Sequence, residues 1–311
     1  MGPALVSRPS SAQKYRPPEL LQDIRLLDLL ELTGSSLRAA ALLNLSQSTV
    51  SRRSRFIANE LALELRSATG SGALRFGDGP CLRLLRRAAK RHRLDAGVGR
   101  IASDGWLAGS LQNVPQVLAV PTCFRSLAQW HQLVRGHVLD GALVSGQELR
   151  QQIPDLPTAS MGHKAWPWQG CMLVPLNTTP LHLVRRQAAN GHSQSRQRWG
   201  TVLMPSLQSH GALAALVRQQ QLYPKHLASG HQSAQGWANN LRATADLALV
   251  TSHWQQQIQA CGVDLQTMVL PQPLELERWL LVHRRDWHKH SALEAMTSSL
   301  CDAINTESQE I

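Results

Sequence analysis

Cysteine is sparse and unpatterned in this chain. The five residues Cys81, Cys123, Cys171, Cys261 and Cys301 are odd in number, and no Cys-x-x-Cys occurs. That excludes a disulfide framework and a zinc finger, and predicts reduced, mostly packed thiols. The 13 histidines are dispersed. His283, His288 and His290 lie near one another, but on a segment that reads as strand end and turn, so no metal site is expected. No apolar run approaches the roughly 20 residues of a membrane span. Met1 to Pro18 is polar and proline-bearing, with Arg8, Lys14 and Arg16, and lacks the apolar centre of a secretory signal. It reads as a disordered lead-in to a cytoplasmic protein. A phosphate-binding glycine loop, a nucleophile elbow and paired carboxylates at a strand end are all missing. Gly77-Asp78-Gly79 is too short to hold a nucleotide and reads as a turn. Neither catalysis nor a cofactor is therefore expected.

What is present is unevenly placed positive charge. Residues 1–100 carry 17 Lys and Arg against 8 Asp and Glu, a balance of +9. Residues 101–311 carry 15 against 13, a balance of +2, so most of the net +11 belongs to the front of the chain. Such an excess attracts polyanions and gives sequence-independent phosphate affinity. At 311 residues the chain suits two or three compact units, each able to bury a core.

The basic segment has an organising motif between Leu37 and Phe56. It reads as two short helices joined by a tight turn. Ala40 supplies the small residue where they cross, Asn44 tolerates the left-handed reversal, and Leu45 is expected to plug the angle. Ser46 is a good N-cap, after which Val50, Ile57 and Leu61 recur at helical spacing on one face. Gln47, Ser48, Ser51, Arg52 and Arg55 occupy the opposite face. Short hydrogen-bonders and cations near a helix start are the layout of a recognition helix for a DNA major groove. An ordinary helical hairpin with a solvated polar face would share the periodicity.

Thr33-Gly34-Ser35, Ala39-Ala40, Leu45-Ser46-Gln47 and Val50-Ser51-Arg52 together resemble the signature of LysR-type transcriptional regulators, densely over residues 20 to 66 and more loosely beyond. The resemblance implies an N-terminal all-α winged helix-turn-helix, a linker helix and a two-lobed α/β effector-binding domain with a periplasmic-binding-protein-like fold. The implied partners are double-stranded DNA, a small-molecule effector and RNA polymerase, with a homodimer or homotetramer as the assembly and no membrane. Base contacts are expected from Gln47, Ser48, Ser51 and Arg52, with Ser46 and Thr49 at the helix start. Arg53, Arg55, Arg66 and Arg75 are expected on phosphates. The chain departs from the family pattern after Phe56. Ile57 to Ala62 replaces Leu-Glu-x-x-Leu-Gly, Glu64 stands in an aromatic position, and only a glycine survives of the segment after the wing.

The implied boundaries are a lead-in at 1–18, a DNA-binding domain at 19–78, a linker and hinge at 79–97, and an effector domain at 98–305. Its lobe I takes about 98–175 and 275–305, and lobe II about 176–274. Leu20 to Leu32 repeats apolar residues every three or four and predicts the first helix. Leu82, Leu85, Ala88 or Ala89, and His92 form a stripe predicting a helix. It would lie on its own domain or, as the resemblance implies, pair antiparallel with a partner's copy. Strands are expected at Arg100–Ser103, Val117–Val120, Leu139–Val144, Cys171–Leu176, Leu181–Val184, Thr201–Pro205, Asp246–Val250 and Glu277–His283. Helices are expected at Ser126–Val134, Ala212–Gln221 and Ala292–Ile304.

Ligands of open α/β sheets sit beyond strand ends, against helix N-termini. The resemblance places an effector's anionic group at Ser103 and Ser126, with Ser206 contributing from the other lobe. Simple N-capping is the competing role for Ser103 and Ser126, and the nine tryptophans pack a core more readily than they line a cleft. A two-lobed solute-binding protein without a transcriptional role is the alternative reading. The missing signal sequence and basic front end oppose it. A recombinase-type DNA-binding protein would need clustered acidic metal ligands, and Asp and Glu are scattered here.

Overall fold

The computed structural model describes residues 15–64, 74–77, 79–112, 114–118, 120–159, 164–187, 201–228, 232–243, 247–270, 272–287 and 289–309, with side chains in the final helix to residue 303. Three helices open it: α1 (Glu19–Thr33), α2 (Ser36–Leu43) and α3 (Gln47–Glu60). Helix α1 stops because Gly34 takes φ 62° and turns its N–H back to the Leu30 carbonyl. The Ser35 hydroxyl then caps α2, accepting from the Arg38 N–H at 3.4 Å. Asn44, at φ 54° and ψ 43°, ends α2 with its N–H on the Ala40 and Ala41 carbonyls. Ala39 and Ala40 are buried where the helices meet. Leu45 does not plug the angle: it is 40% exposed. The left-handed residue before it turns its side chain outward, and Leu43, on the other side of that reversal, packs against the core instead.

Helix α1 is buried nearly all round, from Leu21 and Ile24 through the unbroken run Leu26–Leu32. A helix covered on every side must be packed from two directions. Helices α2 and α3 cover one side and α4 (Pro80–Asp95) covers another. Pro80 opens α4 at the position where its missing N–H leaves no bond unmade. Leu82, Ala89 and Leu94 of α4 are buried in this chain's own cores. The apolar stripe is thus consumed within one copy.

The body follows as β1 (Ile101–Ala102), α5 (Gly109–Gln112), α6 (Leu127–Arg135), β2 (Gly141–Ser145), α7 (Gly146–Gln152), β3 (Trp166–Trp168), β4 (Cys171–Arg186), β5 (Thr201–Met204), α8 (Leu207–Gln219), β6 (Tyr223–His226), α9 (Ala234–Ala243), β7 (Leu247–Val250), α10 (Ser252–Gln259), β8 (Leu265–Met268), β9 (Leu274–His283), α11 (Arg284–Trp287) and α12 (Ser291–Gln309). Among the described residues the strands run β1-β2-β9-β4-β7-β5-β6, with β3 and β8 also paired to β4. Cys171–Leu176 and Leu181–Val184 are one strand rather than two. Strand β4 runs antiparallel to β9 from Cys171↔His283 to Leu181↔Leu274, with a bulge between Pro175 and Asn177. Its far end then pairs with β7 and β8. Two groups of strands, β1-β2 and β5-β6-β7, are therefore joined by the continuous pair β4 and β9. Of the expected strand at Val117–Val120 the described residues show a parallel bridge between Val117 and Gly99, and residue 119 lies outside them. Pro115 and Pro121 bracket it, and proline cannot donate to a ladder.

The front helices and the body share one core. Leu27, Ala40, Val50 and Ile57 belong to the same apolar cluster as Leu82, Trp130, Leu139, Leu173 and Trp279. No helix among the described residues is long and apolar enough to cross a membrane.

Candidate nucleic-acid interface

Helix α3 is set at an outer edge by its own sequence. Ser46 adopts an extended backbone and its hydroxyl accepts from the Thr49 N–H at 3.1 Å, satisfying one of the free donors that open a helix. Val50, Ile57 and Ala58 are buried on the back. That leaves Ser46, Gln47, Ser48, Arg52, Arg53 and Arg55 exposed, and Thr49 and Ser51 half-buried. Arg52 and Arg55 carry no hydrogen bond or ion pair among the described residues. The first turn is held locally: the Ser46 hydroxyl lies 2.9 Å from that of Ser48 and 2.8 Å from that of Thr49. Gln47 Nε2 donates to Ser36 Oγ at 3.1 Å, which ties the start of α3 to α2.

The other cations are placed differently. Arg53 is half-exposed and its guanidinium is ion-paired to Asp23 of α1. Arg75 is exposed, while its backbone N–H and that of Phe76 donate to the Glu31 carboxylate at 2.8 and 2.9 Å. Arg66 and most of the expected wing, residues 68–73, lie outside the described residues.

A buried ion network fixes the three helices to the body. Asp28, wholly buried, accepts from Arg86 Nε at 2.9 Å and from Arg100 Nη1 at 2.7 Å. Arg86 also reaches Glu31 at 3.3 Å. Arg93 grips Asp140 through two bonds of 2.9 and 2.7 Å, and the Arg100 N–H adds a third at 2.7 Å. Burial alone would raise the Asp140 carboxyl, but Arg93 and these bonds hold it below the usual carboxylate range. The Arg125 guanidinium bonds the Glu31 and Leu32 carbonyls at the end of α1. Beside this network is a cavity of about 740 Å³, lined among others by Leu21, Arg25 and Leu29 of α1, Ala89 and Arg93 of α4, and Leu111, Val114, Val117 and Thr122.

The second expected site, between the two groups of strands, is closed. Only about 10 Å³ is open where Asp104, Arg125, Trp130, Glu148, Ser209 and His210 converge. Trp106 fills the gap, its ring centroid 4.8 Å from His210 and 5.8 Å from Phe124. Phe124 in turn contacts Trp237 and Trp254 at 6.2 and 5.6 Å. Asp104 Oδ2 lies 3.1 Å from His210 Nε2, and Thr251 Oγ1 donates to the Trp106 carbonyl at 3.0 Å. Glu148, its carboxyl raised by burial, accepts from the Ala212 and Leu213 N–H groups. Ser126 is taken up in a reciprocal capping box with Gln129, and Ser206 lies 3.0 Å from Ser209 Oγ. Ser103 is buried and its hydroxyl has no partner among the described residues. Trp106 Nε1, His210 Nδ1, Trp237 Nε1 and Trp254 Nε1 are likewise buried and without a partner among the described residues. The three indole groups were invisible as site candidates in the sequence, because tryptophan spacing does not distinguish a core from a filled cleft.

No protein-family model and no curated protein matches the sequence. Solved structures of LysR-type regulators align over nine-tenths of it. One is DarR from Vibrio fischeri in complex with DNA, at 19% identity, 91% of this chain and 98% of that one, with a TM-score of 0.45. ArgP from Mycobacterium tuberculosis aligns at 17% identity over 90% and 96%, also at 0.45. Full-length LysG from Corynebacterium glutamicum with bound effector Arg aligns at 16% identity over 91% and 97%, at 0.41. At such identities and scores the chemistry of this chain rests on its own geometry.

Proposed function

We propose that the protein is a sequence-specific, double-stranded-DNA-binding transcriptional regulator resembling the LysR type. One observation carries this reading. Helix α3 presents Gln47, Ser48, Arg52 and Arg55 outward while Val50, Ile57 and Ala58 pin its back. Gln47, Ser48, Ser51 and Arg52 read base edges, while Arg55, Arg75 and, on releasing Asp23, Arg53 hold phosphates; Arg66 is assigned with them. Arg52→Ala should cost on the order of 1–3 kcal/mol at the cognate site and relax base preference. Fluorescence anisotropy against a genomic fragment retained by the protein and against a random duplex measures both. Equal losses on the two duplexes would remove Arg52 from base reading.

The effector site in this reading is the closed cleft at Ser103 and Ser206, with Ser126 fixing the helix beside it. Support comes from the indole N–H donors of Trp106, Trp237 and Trp254, the His210 Nδ1 and the Ser103 hydroxyl, a polar inventory left unsatisfied among the described residues of an aromatic site. An acceptor-rich, anionic small molecule would satisfy it once the two strand groups part about β4 and β9. Thermal-shift screening of small carboxylates against wild type and Ser103→Ala tests the assignment. An identical response in both removes Ser103 and moves the site to the cavity beside α1 and α4.

A two-headed regulator also implies a dimer. The apolar stripe of α4 is consumed within one copy, and its outer face carries Arg83, Arg87 and Arg91 around exposed Leu84. Pairing two such faces would bring like charges together, so the dimer is assigned to another surface. Sedimentation of Leu84→Glu measures this: an unchanged oligomer is expected, and dissociation would return the seam to α4.

A further inference from the structure

A second cavity, of about 590 Å³, lies between the outer side of α4 and the turn joining α11 to α12. Its walls are mostly basic: Arg87, Lys90 and Arg91 from α4, His137, then Arg285, Lys289 and His290, with Leu84 and Ala88 between them and Asp286 as the one acid. Asp286 is committed to Lys90, whose Nζ lies 2.8 Å away and has no other acceptor among the described residues. Arg91 is shared with Asp95 at 2.7 Å. Arg87, Arg285 and Lys289 are exposed and have no carboxylate partner among the described residues. Three uncompensated cations in one concavity concentrate positive potential there. The floor is a built one. The His137 ring is more than nine-tenths buried, its Nδ1 has no partner among the described residues, and it faces His283 at 5.0 Å. Lys90 beside it is 3% exposed.

We propose that this cavity binds a compact polyanion, a small molecule bearing two or more phosphate groups, with Arg87, Arg285 and Lys289 on the phosphates and Lys90 and His137 Nδ1 at the floor. The volume lies in the range of small-molecule sites. A guanidinium matches a phosphate bidentately, and Arg87 of α4, Arg285 of α11 and Lys289 of the turn after it suit successive phosphates. The site is separate from α3, which carries the duplex-reading residues. It would let the chain sense a phosphorylated metabolite while bound to DNA.

Isothermal titration calorimetry of the full-length protein with inorganic tripolyphosphate is the test, run on wild type, R87A/K289A and R52A. Arg87 and Lys289 are exposed and outside the ion network, so the double variant should fold as wild type does, which circular dichroism checks. Saturable one-to-one binding is expected in wild type and R52A. The double variant should bind roughly tenfold more weakly, the loss of two partly exposed charge contacts. Absence of saturable binding, or loss in R52A with retention in R87A/K289A, overturns the proposal. Displacement of tripolyphosphate from R52A by a random duplex also overturns it, because the cavity would then be a grip on the DNA backbone.

Discussion

His137 shows what a single residue's surroundings dictate. It follows Gly136 at the end of α6 and adopts φ 59°, a left-handed conformation that asparagine also tolerates. Burial first, and then the Lys90 and His283 charges, push its imidazole down to about 3. In the unfolded chain the same group takes up a proton near pH 6.5. Below that pH the unfolded chain binds the extra proton, so stability falls as pH drops from about 6.5 towards 3. At pH 5 the loss amounts to at most about 2 kcal/mol. His137→Asn keeps the backbone and removes the proton site. Urea denaturation at pH 7 and pH 5 should show a smaller acid loss in the variant than in wild type. Parallel losses in the two proteins would locate the acid sensitivity elsewhere, with His131 and His283, both lowered by burial, as the next sources.

Among the elements, α3 depends on its first turn. Ser46→Ala deletes the acceptor for the Thr49 N–H and should cost about 1 kcal/mol, while Ser46→Asp should retain most of it; thermal unfolding distinguishes them. The closed cleft depends on Gly105. A methyl there would lie 2.6 Å from the Trp254 ring, so Gly105→Ala must push α10 and its tryptophan away. The expected cost is about 1–3 kcal/mol with increased solvent exposure of tryptophan. An unshifted emission spectrum would mean that the ring has room to move. These two elements also mark where sequence is informative. Caps and left-handed turns are local, and Asn44 and Ser46 could each be read in place, with the cap before α2 narrowed to Ser35 or Ser36. So could Val50 and Ile57, because a helix repeats its buried face at fixed spacing. The cleft is assembled from residues as far apart as Trp106 and Trp254, and no local pattern announces that pairing. Ser126 illustrates the ambiguity: capping and ligand binding use the same hydroxyl at the same helix start, and here the cap takes it. Arg86, Arg93 and Lys90 were legible only as part of the basic excess of residues 1–100. Their burial requires Asp28, Asp140 and Asp286, which lie 58, 47 and 196 positions away in sequence.

For the whole molecule the decisive feature is that the first three helices are not an independent head. Helix α1 carries Asp28 and Glu31 into a buried network with Arg86 and Arg100, and its leucines share a core with α4 and α6. A buried pair need not stabilise a fold relative to apolar residues of the same shape, yet removing one partner alone leaves a charge stranded. Asp28→Asn strands parts of two guanidiniums at once, whereas Glu31 and Val138 can compensate only in part. A loss of about 3–5 kcal/mol is expected. The form of the loss is more telling than its size. If the shared core and ion network hold the front helices to the body, wild type should unfold in one calorimetric transition. Asp28→Asn should split it, releasing residues 19–60 at lower temperature while the strands stay folded. Hydrogen exchange would show the same release as early loss of protection confined to α1, α2 and α3. Should wild type itself unfold in two steps, the contact would be a docking of separable domains, and the α1–α4 cavity would sit at a joint that opens without a ligand.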